Sequence, residues 1–320
     1  MAVGKDELNL NLLENGLDFI RSSITYLSRS KEKNNIKYAI LHLSAGVDLI
    51  LKYKLSLEHW SLLFQKIDSA NREDFHSGNF KSVDSKECVE RLASICGIVL
   101  NEQTKKNFTH LRDRRNRLEH FEINESVLAL KSSSMKVLNS ILDFINDQLS
   151  EEDLEEYDDL LRNIRIGLRD FREFIDKRMK LLAQDISEHK KNAPVTNCPS
   201  CYQEALCISD ESRCLFCGYR ETDAEKLANE YIWEILDESE YECVKNGGEY
   251  PLYSCIECGH ETMVHLFPYI EDKGWICFSC GCEWASNDIN FCNNCGQTFR
   301  NIHGNSVCRE CIEYRLDKDD

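Results

Sequence analysis

The sequence predicts a mainly α N-terminal helical bundle with a long helix, followed by small β-rich modules organised around cysteine. Three observations carry this. Apolar residues recur at helical spacing from about residue 6 to about residue 190. Asn192-Ala-Pro194 ends that pattern, because the residue before a proline is pushed out of the helical region. Beyond it, twelve of the chain's 17 cysteines fall into six Cys-x-x-Cys pairs. The expected division is a helical bundle over 1–149 and a long helical connector, also a dimerisation helix, over 150–193. A first cysteine module over 194–225 and two tandem modules over 226–320 follow.

The first helix, over 6–30, carries Leu13, Leu17, Ile20, Ile24 and Leu27 on one stripe. Asn34 or Asn35 is placed to cap a second helix running to about Leu55. Ile36, Ile40, Leu43, Val47 and Ile50 form one of its faces; Leu41, Leu51 and Leu55 form another, which Ser44 and Asp48 interrupt. A carboxylate on a half-buried face needs a partner. For Asp48 the candidates are Arg115, a local cap, or solvent. A short helix is expected over Glu58–Ser69, and another from a Ser85 cap to Cys96-Gly97, with Cys88 and Cys96 as packing thiols. Asn101 opens the helix with the arginine cluster, and Ser126–Leu149 forms the next. Ser150-Glu-Glu-Asp153 reads as a capping box opening one helix over Glu151–Lys190. Its seam, Leu154, Tyr157, Leu161, Ile164, Leu168, Phe171, Ile175, alternates three and four and then shifts to Met179, Leu182 and Ile186. That is the coiled-coil period, which packing within one chain explains as well as a dimer does.

Cys198/Cys201 with Cys214/Cys217, Cys255/Cys258 with Cys277/Cys280, and Cys292/Cys295 with Cys308/Cys311 repeat one zinc-ribbon pattern. Two tight turns each present two thiolates, completing a tetrahedron with Zn–S distances of about 2.3 Å. Three Zn2+ ions are expected, in structural roles, since four protein ligands leave no position open for water. Sequential pairing is the one expected, but the spacing does not force it: in a crossed arrangement Cys277/Cys280 would join Cys292/Cys295 and leave Cys255/Cys258 to meet Cys308/Cys311. Cys207, Cys243, Cys282, His260, His265 and His303 are spare.

The net charge of −17 is uneven. Residues 195–320 hold 24 Asp and Glu against 9 Lys and Arg; the rest of the chain holds 32 against 30. The acidic half should repel nucleic acid and suits a protein partner instead. No run of about 18 apolar residues suggests a membrane span, and the first residues show no apolar export signal. A reducing, cytoplasmic setting is expected, with thiolates serving metal rather than disulfides.

Candidate chemistry lies in Leu111–Phe121. Phe108, Leu111 and Leu118 mark the apolar stripe, Arg115 falls on the same stripe, and Asn116 and His120 are i, i+4 neighbours beside it. A guanidinium, an amide and an imidazole are offered to one volume, in a basic patch that adds Lys105, Lys106, Arg112, Arg114 and Arg117. A phosphate fits that set.

Together these features resemble the HEPN family of all-α domains over residues 8–145. Arg115-Asn116-x-x-x-His120 matches the family's Arg-x(4–6)-His motif, and the stretch Ala39 to Lys52, with its acid at Asp48, looks like an early helix of bacterial HEPN proteins. The resemblance implies a metal-independent endoribonuclease of the toxin or antiphage-defence type, working as a homodimer whose motif helices line one cleft. Attack by RNA's own 2′-OH needs a base, a charge clamp and an acid. His120 can serve as base or acid, Arg115 as bidentate clamp, and Asn116 can hold either the imidazole or the phosphate. Asp48 and Arg112 are supporting residues. The alternative is a noncatalytic HEPN-type adaptor that binds RNA or protein, with the zinc modules as interaction surfaces.

Overall fold

A computed structural model describes residues 8–29, 33–271, 273–301 and 304–319. It divides into two compact units, Met1–Ile175 and Asp176–Asp320. No described helix is long and apolar enough to cross a membrane.

The first unit is helical. In α1 (Leu12–Ser28) the Asn11 side chain accepts from the amides of Leu13 and Glu14, and the stripe Leu13, Leu17, Ile20, Ile24, Leu27 is buried as expected. It packs along α2 (Lys33–Glu58). The crossing is close because Gly16 and Gly46 meet there. A Cβ on Gly46 would lie 2.8 Å from Ile20 Cδ1 and 2.9 Å from the Gly16 carbonyl oxygen. Asn34 and Asn35 lie inside α2 rather than capping it. The helix expected over Glu58–Ser69 is two short 3₁₀ turns, Trp60–Leu63 and Ile67–Ser69, followed by α3 (Arg72–Ser77). Buried Arg91 orders this irregular stretch by donating to the carbonyls of Leu62, Phe64 and Gln65.

The cap of α4 (Ser85–Ser94) is Asp84, which accepts from the Glu87 amide at 2.9 Å, not Ser85. Freed from capping, Ser85 bonds Asp48 instead. Asn101 caps α5 (Glu102–His120), and α6 (Val127–Gln148) follows. The capping box at Ser150–Asp153 is present. The single helix expected over Glu151–Lys190 is not. It is α7 (Glu151–Leu154), a 3₁₀ turn over Glu155–Tyr157, α8 (Asp158–Arg169) and α9 (Arg172–His189), so the expected 150–193 connector is divided between the units. The seam has its partner inside the chain. Leu161, Ile164 and Leu168 are buried, and α8 lies on α1 closely enough that a Cβ on Gly167 would meet Ile24 at 3.1 Å.

The second unit takes most of α9 and then becomes β-rich. Strands β1 (Val195–Asn197), β2 (Glu204–Cys207), β3 (Ser212–Cys214) and β4 (Arg220–Glu221) form an antiparallel sheet in that order. Arg178 of α9 is 1% exposed and donates from Nε to the Phe216 carbonyl at 2.6 Å and from Nη2 to that of Leu215 at 3.2 Å. Next come α10 (Ala224–Ile235) and α11 (Glu240–Lys245). Tyr231 of α10 sits 2.9 Å from the Thr196 hydroxyl and 5.0 Å from the Phe278 ring, padding two modules. The second sheet is β5 (Leu252–Ser254), β6 (Glu261–His265), β7 (Trp275–Cys277) and β8 (Glu283–Trp284). A two-stranded ribbon, β9 (Ile289–Phe291) and β10 (Thr298–Arg300), and α12 (Arg309–Asp319) complete it. Ile289 joins Met263, Trp275 and Trp284 in one apolar cluster, so the last two modules share a core.

Candidate functional site

The twelve paired cysteines gather into three quartets: Cys198, Cys201, Cys214, Cys217; Cys255, Cys258, Cys277, Cys280; and Cys292, Cys295, Cys308, Cys311. The pairing is sequential, and within each quartet the sulfurs lie within 4.8 Å of one another. Sulfur pairs stand 3.7–3.8 Å apart in all three, and none of the cysteines is in a disulfide. The edge of a tetrahedron with Zn–S bonds of about 2.3 Å is about 3.8 Å, so the quartets have the size a metal ion requires.

Local backbone builds them. In five of the six pairs the residue after the second cysteine takes a left-handed conformation, with φ of 72° at Gly218, 77° at Gly259, 70° at Gly281 and 75° at Gly296; after Cys311 the chain continues as the helix α12. Its amide returns to the carbonyl of the first cysteine at 2.8–3.0 Å. Tyr202, at φ 67°, fills the same position without being glycine. Further amides point at sulfur: Cys308 N and Asn294 N reach Cys292 Sγ at 3.3 and 3.4 Å.

The spare residues lie outside the quartets. Cys243 donates to Glu238 at 3.2 Å, His260 bonds Ser279 at 2.9 Å, and His265 stacks on Trp275 at 3.9 Å. Cys207 is buried and Cys282 half-buried; His303 falls outside the described residues.

In the helical unit, α2, the start of α4 and α5 enclose a polar cleft of about 890 Å³. It brings together Asp48, Arg112, Arg115 and Asn116, four of the five residues singled out there from sequence. His120 is not among its lining residues. It stands at the end of α5 with its side chain 74% exposed and Nε2 3.7 Å from Glu119. Asp48 does not pair with Arg115. Its carboxylate takes Lys52 Nζ at 2.6 Å and the Ser85 hydroxyl at 2.9 Å, while Lys52 also donates to Ser82 at 3.0 Å. The reason is proximity on α2: Lys52 is one turn from Asp48 and stays within reach whatever α5 does. Arg115 pairs instead with Glu119 at 2.9 Å and donates to Asn116 Oδ1 at 3.1 Å. Arg114 and Arg117 both turn to Glu125, away from the candidate chemistry.

Lys52, Ser82, Ser85 and Glu119 are therefore part of the site and were not singled out from sequence. The signal available for two of them was the i, i+4 spacing of Asp48 with Lys52 and of Arg115 with Glu119. Four lining cations, Lys52, Lys86, Arg112 and Arg115, face four acids, Asp48, Asp84, Asp113 and Glu119. A phosphate entering here must share Arg115 with Glu119. Cys88, beneath the cleft, is pushed up to about 12 by burial and by the Asp48 charge, which keeps it a neutral packing thiol.

No protein-family model, curated protein or solved structure matches this chain.

Proposed function

We propose that the helical unit is a metal-independent endoribonuclease of the HEPN type, cleaving RNA by transesterification through the 2′-OH. The observation that carries this reading is the cleft that gathers Arg112, Arg115 and Asn116 beside the Asp48–Lys52 pair. Arg115, always charged and bidentate, clamps the nonbridging oxygens of the scissile phosphate, with Arg112 beside it. Asn116 holds the guanidinium, and Asp48 fixes Lys52 and Ser85 on the opposite wall. His120 acts as base or acid. One protomer supplies one such histidine, and its exposed position at the end of α5, outside its own cleft, suits a site completed by a second copy.

The three cysteine quartets hold zinc in this reading, and their sulfur spacing supports it. Closed four-sulfur sites stabilise short segments and take no part in bond breaking. The surplus of acid in residues 195–320 suits docking of a protein partner, as a toxin or antiphage effector needs for its control.

Incubating the chain with short RNA in magnesium-free buffer tests the reading. The expected products carry a 2′,3′-cyclic phosphate and a 5′-hydroxyl, and His120→Ala should lower the rate about 10²–10⁴-fold. Equal cleavage by both proteins would sink the assignment. A second reading, a noncatalytic adaptor, is favoured by His120 standing apart from the cleft and by Arg115 being already paired with Glu119. It predicts RNA or protein binding without cleavage, and capture of a partner that depends on residues 195–320.

A further inference from the structure

Between α4 and α5 the polar cleft is adjoined by a second groove of about 750 Å³, and the two share Ser85, Lys86 and Arg112 as lining. Its character differs. Half-buried Val89 and Ala93 of α4 and buried Phe108 of α5 make an apolar floor, while Lys86, Lys105 and Arg112 stand around it against one acid, Glu90, which pairs with Lys86 at 3.8 Å; Lys105 pairs with Glu102 at 3.0 Å, so the lining keeps a surplus of cations. On α5 the positions 105, 108, 112 and 115–116 follow at three- and four-residue steps, so floor, cations and the Arg115–Asn116 pair lie on one helical face. Phe108 and Arg115 are about 10 Å apart along the axis at about 1.5 Å per residue.

We propose that this groove seats a nucleobase of single-stranded RNA whose neighbouring phosphate enters the cleft, so that Val89, Ala93 and Phe108 set beside which base the strand is cut. The proposal rests on the ribonuclease reading above. The chemistry matches on both counts: a flat apolar face meets an apolar floor, and the cations around it meet the phosphates on either side of that base. A duplex keeps its bases stacked inside and cannot make this fit, so single strands are required.

The test uses the full chain. Ala93→Leu fills the groove without changing charge, and its thermal midpoint establishes that it is folded. Binding is measured in a His120→Ala background with a single-stranded RNA 12-mer and with an oligomer of equal length made of abasic ribose phosphates. The expected result is an affinity for the 12-mer about tenfold weaker in Ala93→Leu, the factor one seated base supplies, with abasic binding unchanged. Ala93→Leu in the otherwise native chain should also shift the pattern of cleaved positions. Unchanged 12-mer affinity and an unchanged cleavage pattern, in a native chain that does cleave, overturn the groove assignment alone. Base-dependent binding without any cleavage by the native chain overturns the ribonuclease reading and leaves the groove assignment standing. A native chain that binds no RNA overturns both. A change in sedimentation on Ala93→Leu would show a second copy occupying the groove, and that too overturns the assignment.

Discussion

In the helical unit, long helices bury whole stripes of aliphatic side chains: Leu13, Leu17, Ile20, Leu27, Ile40, Leu43, Ile50, Leu51 and Leu55 are all fully covered. In the second unit the strands are two to five residues long, and the buried side chains collect around cysteine quartets and a few aromatics such as Phe216, Trp275 and Phe278. The difference teaches where each unit is vulnerable. Burying a Leu or Ile side chain is worth about 1.5–3 kcal/mol, and the first unit has many to draw on. Strands this short cannot supply that sum, and a metal held by each quartet would substitute for it.

Metal removal should therefore separate the units, and it is the largest effect expected. Zinc in small structural sites contributes about 10–16 kcal/mol each at neutral pH. A strong chelator should collapse the aromatic circular dichroism of Trp275 and Trp284 while most of the helical signal from residues 8–175 persists. Simultaneous loss of both signals would mean that the helical core cannot stand by its own packing.

The comparison sharpens within the second unit. All four cysteines of the first quartet are buried, whereas Cys280 of the second and Cys295 of the third are exposed. A competing chromogenic chelator should take metal from the second and third quartets before the first, in a resolved fast phase. Cys295→Ser should shrink that phase and leave the first sheet folded, and Cys198→Ser should destabilise β1–β4. Release of all metal in one phase would contradict the graded burial. Arg178 adds a second support to this quartet, since each hydrogen bond from a charged donor is worth roughly 1.5–3 kcal/mol. Arg178→Met should lower the unfolding free energy of the second unit by that order, read by denaturant titration.

On the helical side, Ile20→Ala should cost about 2–5 kcal/mol, because Ile20 fills the crossing at Gly46 and rigid helices cannot close over the gap. Denaturant titration read on the helical signal checks it, and no change in the second unit's midpoint is expected.

How much of this was legible follows the same division. Short-range patterns reported themselves faithfully: the stripe of α1, the Asn101 cap, the capping box at Ser150 and the sequential quartets all depend on residues close in the chain. What failed depends on competition at a distance. The coiled-coil period of the seam left packing within the chain and a dimer equally open, and only the fold places α1 against Leu161, Ile164 and Leu168. Asp48 was assigned a long-range candidate in Arg115 while Lys52 stood one turn away. Asn116 and His120 share a helical face by spacing, yet α5 ends at His120, and the imidazole swings clear of the cleft that holds Asn116.

The smallest effect is a pH dependence confined to the helical unit. His42 of α2 lies between the Phe19 and Tyr26 rings, at 5.5 and 5.4 Å, with Nδ1 2.8 Å from the Ser22 hydroxyl. Burial holds its pKa below the ordinary 6.5, with the Asp18 charge acting the other way. Between 6.5 and that depressed value the unfolded chain binds the proton and the folded chain resists it. Stability contributed by neutral His42 is therefore fully present above 6.5 and is lost as pH falls toward the folded pKa. Acid would also protonate thiolates that hold a metal, so the informative quantity is the difference between wild type and His42→Gln, read on the helical signal at pH 7.5 and pH 5.5. That difference should shrink on acidification, because glutamine has no proton to take up. A constant difference would assign His42 to packing alone.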